Sequence, residues 1–481
     1  MTHPDPILID GALLPRDDGS AAPASVLVAE GRVAALAWEE QARRDLAARA
    51  AQRVAAEGCW LLPGLVDAHA HGYATLLRGT ESALPLELWA LFTTVHGRAL
   101  DAGALQAAIL LGAAERLRGG ITATVDHTPY VALAETALAA HEASGLRVGY
   151  AAFLQDISDY DLLGVTLPPE LEAIAGGPPP LDPAYAERFA TIVQAARGGS
   201  GRVVPMLGPN APQRCSPAAW ALWRALRDRH GVPVHTHLLE TRAQARIGNR
   251  WPGGTVAEMA RQGLLAPGLS LAHGVWTGEA ERELLARHGA VVVHNPASNM
   301  MLGSGVLPFA AYRRAGVTLA LGTDSSNTAG RHDLFEAMRL ALMLHRSPGS
   351  DPAEWPRGAE VLAMATRNGA RVLGLERELG RVAPGQFADL VLLRRDAAGT
   401  TMAVESAEGL ALHGGAETVE AVMVGGRWLL RDGVILAFDE AAALRAARDA
   451  REMLRERLRT GDEVVRRALP GIAAALATQG F

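Results

Sequence analysis

Lysine is absent from the 481 residues: the 46 basic residues are all arginine. That excludes a Walker A phosphate loop, a Schiff-base lysine and a carbamylated lysine bridging two metals, each of which needs an ε-amino group. Cysteine is nearly absent too. Cys59 and Cys215 form neither a disulfide framework nor a CxxC metal site, so a reducing, cytoplasmic setting is the expectation. No uncharged apolar run approaches the ~20 residues a membrane span needs. The start, Met1-Thr2-His3-Pro4-Asp5, has neither the basic nor the apolar region of a signal peptide. Charge of one sign is not concentrated anywhere. The formal net charge of −6 comes from interspersed residues without a basic stripe, and neither nucleic acid nor a membrane is expected as a partner.

What the chain does contain is a sizeable apolar fraction, 49%, with 20% charged residues, as in a globular protein with a large core. Eight short apolar runs of β character alternate with helical stretches: Trp60–Val66, Ile121–Val125, Val148–Leu154, Val203–Leu207, Val232–Val234, Leu269–Ala272, Ala290–Val293 and Val317–Leu321. Ala104–Arg118, Ala218–Arg229 and Glu279–Arg287, between them, have amphipathic helical spacing. Eight strand-then-helix units predict an α/β fold, a (β/α)8 TIM barrel over 61–377, with a doubly wound sheet, which does not usually need eight units, as the alternative. Residues 6–38 and 378–438 alternate short strands with turns, which predicts a small β-sandwich domain formed from both chain ends (1–60 and 378–438). Residues 439–481 read as a helical extension. The Gly- and Pro-rich segment 155–183 lies where a lid over the barrel mouth would be.

Polar residues punctuate the runs. His69 and His71, Asp126 and His127, His235 and His237, His273, His294 and Asp324 all follow apolar runs, and barrel active sites are built at the carboxyl ends of strands. On a strand, residues i and i+2 share a face, so Asp67-Ala-His69-Ala-His71 and Val234-His-Thr-His237 each present two imidazoles to one side. Imidazoles plus a carboxylate are ligands of a catalytic Zn²⁺ or Fe²⁺, and such an ion lowers the pKa of a bound water to roughly 7. Glu240, three residues past His237, is either a proton carrier at that pocket or a solvated helix-start residue.

The ordered set HAH, HTHLLE, LAHG, HNPASNMMLG and LGTD resembles the amidohydrolase superfamily. Within it, the likeness is to the mononuclear branch of cytosine-, guanine-, adenosylhomocysteine- and pterin-type deaminases and triazine hydrolases. The resemblance spans nearly the whole chain. It implies that His69, His71, His237 and Asp324 bind one divalent metal, Zn²⁺ or else Fe²⁺. It implies also that Glu240 shuttles protons, that His273 hydrogen-bonds the attacking water and that Asp324 orients it and accepts a proton. His235 is not a ligand in that pattern. The activity implied is hydrolytic release of ammonia from a small heterocyclic substrate. The alternative is a triazine-type loss of chloride or alkylamine, and a homo-oligomer, dimer or larger, is the expected assembly.

One position departs from the pattern. Where deaminases of these types commonly carry histidine or arginine, this chain has Asn210, an uncharged amide suited to a neutral amino-oxo heterocycle. Trp89 resembles the aromatic that closes over the ligand in several relatives, or is a helix-face core residue. Gln213 and Arg214 either read substrate edges or cap the next helix. His294 is placed with the substrate pocket, in a supporting role with Ser298 and Asn299. Asp126 and His127 receive no role.

Overall fold

In a computed structural model the chain is described over residues 5–16, 20–81, 83–178, 180–397 and 405–479; Met1–Pro4 of the amino-terminal reading lies outside them. Eight parallel strands form the centre, in sequential order: β1 (Leu65–Ala70), β2 (Ile121–Thr128), β3 (Arg147–Leu154), β4 (Val203–Pro209), β5 (Val234–Leu238), β6 (Leu269–His273), β7 (Val291–His294) and β8 (Thr318–Leu321). A parallel bridge between Ala70 and Asp324 joins the last strand to the first, so the sheet closes into the expected barrel. Every strand but β3, β4 and β8 is wholly buried. This is why the sequence shows continuous apolar runs there rather than alternation.

Two runs end elsewhere than the sequence suggests. Trp60–Val66 is divided: Cys59–Pro63 pairs with Leu390–Arg394 in a second sheet, and only from Leu65 does the chain enter the barrel. The break is at Gly64, where an added Cβ would stand 1.9 Å from Thr122 Oγ1, so only glycine lets the strand turn. The fifth strand begins at Val234 and contains the HTH motif, which places both histidines within the barrel wall.

Among the described residues the second sheet takes nine strands from both chain ends, mixed in direction and continuously hydrogen-bonded. Ile9, Val26 and Val33 from the front of the chain share one buried cluster with Leu390, Leu392 and Met423 from the back. The buried Arg147–Asp389 ion pair (2.9 Å) ties this sheet to β3. Segment 155–183 is more structured than its composition suggests. It holds short helices Asp159–Leu162 and Pro169–Ala175, and Leu163, Leu167 and Leu171 pack in one cluster with Leu91, Phe92 and, from the terminal helix Glu440–Thr478, Val465 and Ile472. No helix among the described residues is long and apolar enough to cross a membrane.

Candidate active site

Three imidazoles converge at the carboxyl ends of β1 and β5 because their other ring nitrogens are committed. His71 Nδ1 donates to the His127 carbonyl (2.5 Å) and His237 Nδ1 to the Asn210 carbonyl (2.6 Å). His69 is fixed through a chain: Ser270 donates its hydroxyl to the Val234 carbonyl (3.1 Å), so His235 Nδ1 donates to Ser270 Oγ (2.8 Å). His235 Nε2 is then an acceptor, and takes the Nδ1 proton of His69 (2.7 Å). Each of the three is left with a bare Nε2, as a second layer of acceptors does for ligating histidines. The outcome gives His235 the task of orienting a neighbour, in keeping with its exclusion from the ligand set. Burial pushes the His69 imidazole down to about 4 and those of His235 and His237 well below their ordinary value. All three are neutral at pH 7.

Asp324 supplies the charge. Its Oδ1 lies 3.4 Å from both His69 Nε2 and His71 Nε2, and Ser298 donates to its Oδ2 at 2.5 Å. Burial opposes its ionisation, and it is when the imidazoles facing it carry their protons, His69 first and then His273 and His71, that their charge holds the carboxyl well below the usual carboxylate range. Asp324 has φ of 60° and His273 φ of 74°, left-handed values that non-glycine residues adopt rarely and mostly where a side chain must be aimed. The turn at Asp324 is pinned by Asp67 on β1, which accepts from the Thr323 backbone N–H (2.8 Å) and hydroxyl (2.7 Å). The motif's leading aspartate thus braces the far end of the barrel seam.

His273 donates Nδ1–H to Asn299 Oδ1 (2.8 Å), so its Nε2 faces Glu240 Oε2 at 3.8 Å and Asp324 Oδ2 at 3.9 Å. Glu240 is buried, and burial, with Asp324 adding repulsion and His273 opposing it, pushes its carboxyl up to about 7. A group that titrates at neutral pH inside a cavity is suited to carrying protons both ways. His71, His237, Glu240, His273 and Asp324 all line one cavity of about 530 Å³.

The substrate-facing expectations fare unevenly. Trp89 lines the cavity. Asn210 also lines it, but its amide is engaged: Oδ1 receives His237 Nδ1 (3.0 Å) and Arg214 Nη1 (3.2 Å), and Nδ2 donates to Gln155. It orients a histidine rather than offering a free edge. Gln213 does not line the cavity; buried, it reaches Asp159 at 3.4 Å. His294 is fully buried outside the lining, its ring 5.5 Å from that of His345. Neither residue lines the cavity, Gln213 standing in the short turn Pro212–Arg214 and His294 at the end of β7, so neither is placed as a substrate contact. Ser298 and Asn299 do provide the supporting contacts expected of that motif. The two residues left without roles acquire them. Asp126 accepts from the Gly72 N–H and from His141 (2.8 Å each), holding the turn after the HAH motif. His127, whose Nε2 donates to the Gly208 carbonyl (3.1 Å), stands with His69, His71 and His237 in one group of possible ligand atoms. No local spacing signals these contacts.

The chain is similar to known proteins over most of its length. Residues 60–429 match the amidohydrolase family. The chain is 32% identical over 411 residues (84% of this chain, 89% of the relative) to 5-methylthioadenosine/S-adenosylhomocysteine deaminase of Desulforudis audaxviator. It is 31% identical over 440 residues (91% and 95%) to 5'-deoxyadenosine deaminase of Methanosarcina barkeri. Among solved structures, an adenosine deaminase from Xanthomonas campestris with bound zinc superimposes with a TM-score of 0.83, at 29% identity, over 94% of this chain and 98% of that one.

Proposed function

The chain belongs to the amidohydrolase family, and we propose that within it the protein is a metal-dependent deaminase releasing ammonia from a neutral amino-substituted nitrogen heterocycle. The observation that carries this reading is Glu240, a buried carboxyl pushed up to about 7, on the cavity that also presents the bare Nε2 of His71 and His237. The donor set fits a divalent ion. His69 Nε2 is buried with no protein hydrogen bond, and three imidazoles with one carboxylate are a Zn²⁺ or Fe²⁺ environment. His69, His71, His237 and Asp324 would hold the ion, which when bound supplies Lewis-acid activation of water at neutral pH.

The side chains do the proton work. Asp324, steadied by Ser298, orients the attacking water and accepts a proton from it. His273, with Nδ1–H fixed on Asn299, presents Nε2 as an acceptor to the same water. Glu240 delivers its proton to the ring nitrogen beside the attacked carbon and regains one from the attacking water, and the second proton of that water, taken by Asp324, passes to the departing amino group. The new bond is carbon to oxygen, the broken bond is carbon to the exocyclic nitrogen, and ammonia leaves. Departure of chloride needs no proton, so a poised Glu240 favours an amine leaving group over chloride.

A panel of aminopurines, adenosine-type nucleosides, pterins, pyrimidines and triazines, assayed for ammonia and chloride release alongside elemental analysis, tests the reading. Ammonia release with about one tightly held ion per chain is expected. Chloride release without ammonia, or two ions both needed for turnover, overturns it.

A further inference from the structure

Resting on the ion assignment within the deaminase reading, we propose that His127 is a further ligand of the metal, its Nδ1 joining the Nε2 atoms of His69, His71 and His237 in an all-imidazole seat beside Asp324. His127 stands at the carboxyl end of β2 and is fully buried. One ring nitrogen from each of the four residues lies within 4.8 Å of one from every other. The His127 ring centroid is 4.8 Å from that of His237, 5.7 Å from that of His71 and 6.0 Å from that of His69. The three imidazoles already assigned stand 4.9, 5.0 and 5.4 Å apart by the same measure, so the fourth ring nearly repeats their spacing. Two nitrogens bound to one ion at about 2.0–2.1 Å are at most about 4.2 Å apart, and small ring rotations close the set.

The hydrogen bonding of His127 is that of a ligand. Its Nε2 faces the Gly208 carbonyl at 3.1 Å, and a carbonyl only accepts, so the ring proton sits on this nitrogen. Nδ1 is buried with no hydrogen-bond partner. A second proton there would make a buried imidazolium with neither nitrogen on a carboxylate, which is costly, so Nδ1 is bare. His69, His71 and His237 show the same division, one nitrogen donating to the protein and the other bare, the pattern that orients ligating histidines. No other task claims this side chain. It is the backbone carbonyl of His127, not its ring, that orients His71. The ring does not line the cavity, whereas Phe153, packed against it at 4.3 Å between centroids, does, so the bare nitrogen is not offered to substrate. Zn²⁺ imposes no geometry of its own and takes a fifth ligand, and added imidazole suits Zn²⁺ and Fe²⁺ alike.

The test uses the zinc-loaded full-length protein and its His127→Gln variant, in which an amide N–H can still donate to the Gly208 carbonyl. X-ray absorption at the zinc edge counts the coordinated imidazoles, and competition with a chromogenic chelator measures affinity. Four imidazoles are expected in the wild type and three in the variant, with affinity lower by at least about tenfold. The wild-type count decides the matter even where the variant does not fold. Three imidazoles in the wild type overturn the proposal and leave the deaminase reading standing. An affinity that falls while the count does not change makes His127 a positioning residue and also overturns it, as does an affinity unmoved by the substitution. A wild type that keeps no zinc through dialysis overturns both the proposal and the ion assignment beneath it.

Discussion

Replacing Glu240 by glutamine should destroy turnover and, at the same time, stabilise the metal-free fold at neutral and alkaline pH. Glutamine is nearly isosteric, so the contacts with Gln244 and Ser304 can survive, but an amide cannot carry a proton. Loss of a positioned acid–base group costs roughly 10²–10⁴ in rate, about 2.7–5.4 kcal/mol of barrier. The stability term has the opposite sign. Below the value of an exposed glutamate, about 4.3, folded and unfolded chains both carry the proton and nothing is lost. As pH rises from there through about 7, the native carboxyl stays protonated and then must ionise away from water. Folding stability falls across that window. At about 1.36 kcal/mol per pH unit the loss is on the order of 3 kcal/mol, and Glu240→Gln removes it. Melting curves of chelator-treated wild type and variant from pH 4 to 8.5 should therefore separate progressively, with the variant higher above pH 7. Steady-state ammonia assays on zinc-loaded protein should fall by at least a hundredfold, with metal content intact. Retention of more than a tenth of the rate, or melting curves that stay parallel across the pH range, would refute the assignment of a buried proton carrier.

Asn210→Ala should weaken metal binding about tenfold, the low end for loss of a partner to a ligating histidine, because His237 keeps the backbone carbonyl at 2.6 Å; competition with a chromogenic chelator measures it. Discrimination between oxo and deoxo substrates should not change, and a changed preference would return Asn210 to substrate reading. Gly461→Ala places a Cβ 2.3 Å from Val95 Cγ1, on the helix Leu86–Arg98 that carries Trp89. Overpacking of this kind costs about 1–3 kcal/mol, and KM should rise while kcat and metal content hold. A lowered kcat at unchanged KM would show that the terminal helix does not set the cavity wall. Arg147→Met strands Asp389 in the joint between barrel and second sheet. Removal of one partner of a buried pair costs about 3–5 kcal/mol, visible as a lower denaturant midpoint; an unchanged midpoint would show that the joint tolerates the unpaired charge.

The barrel and its metal-type centre were legible in the sequence because both rest on short-range regularities. Strands buried on both faces leave continuous apolar runs, and helices between them leave a 3.6-residue spacing. The two-residue spacing of His69 and His71, and of His235 and His237, puts each pair on one face whatever the rest of the chain does. The family motifs then named the same side chains that the fold brings within reach of one another. Only the tertiary structure decided what each polar atom touches. His235 orients His69 across 166 residues of sequence, and Asp67 braces Thr323 across 256. Asn210 turns to His237, while Gln213 and His294 are not among the residues that line the cavity. The division of Trp60–Val66 between two sheets depends on Thr122, which crowds Gly64 from another strand. A hydrogen-bond partner is chosen by geometry across the closed barrel, and spacing along the chain carries no record of it.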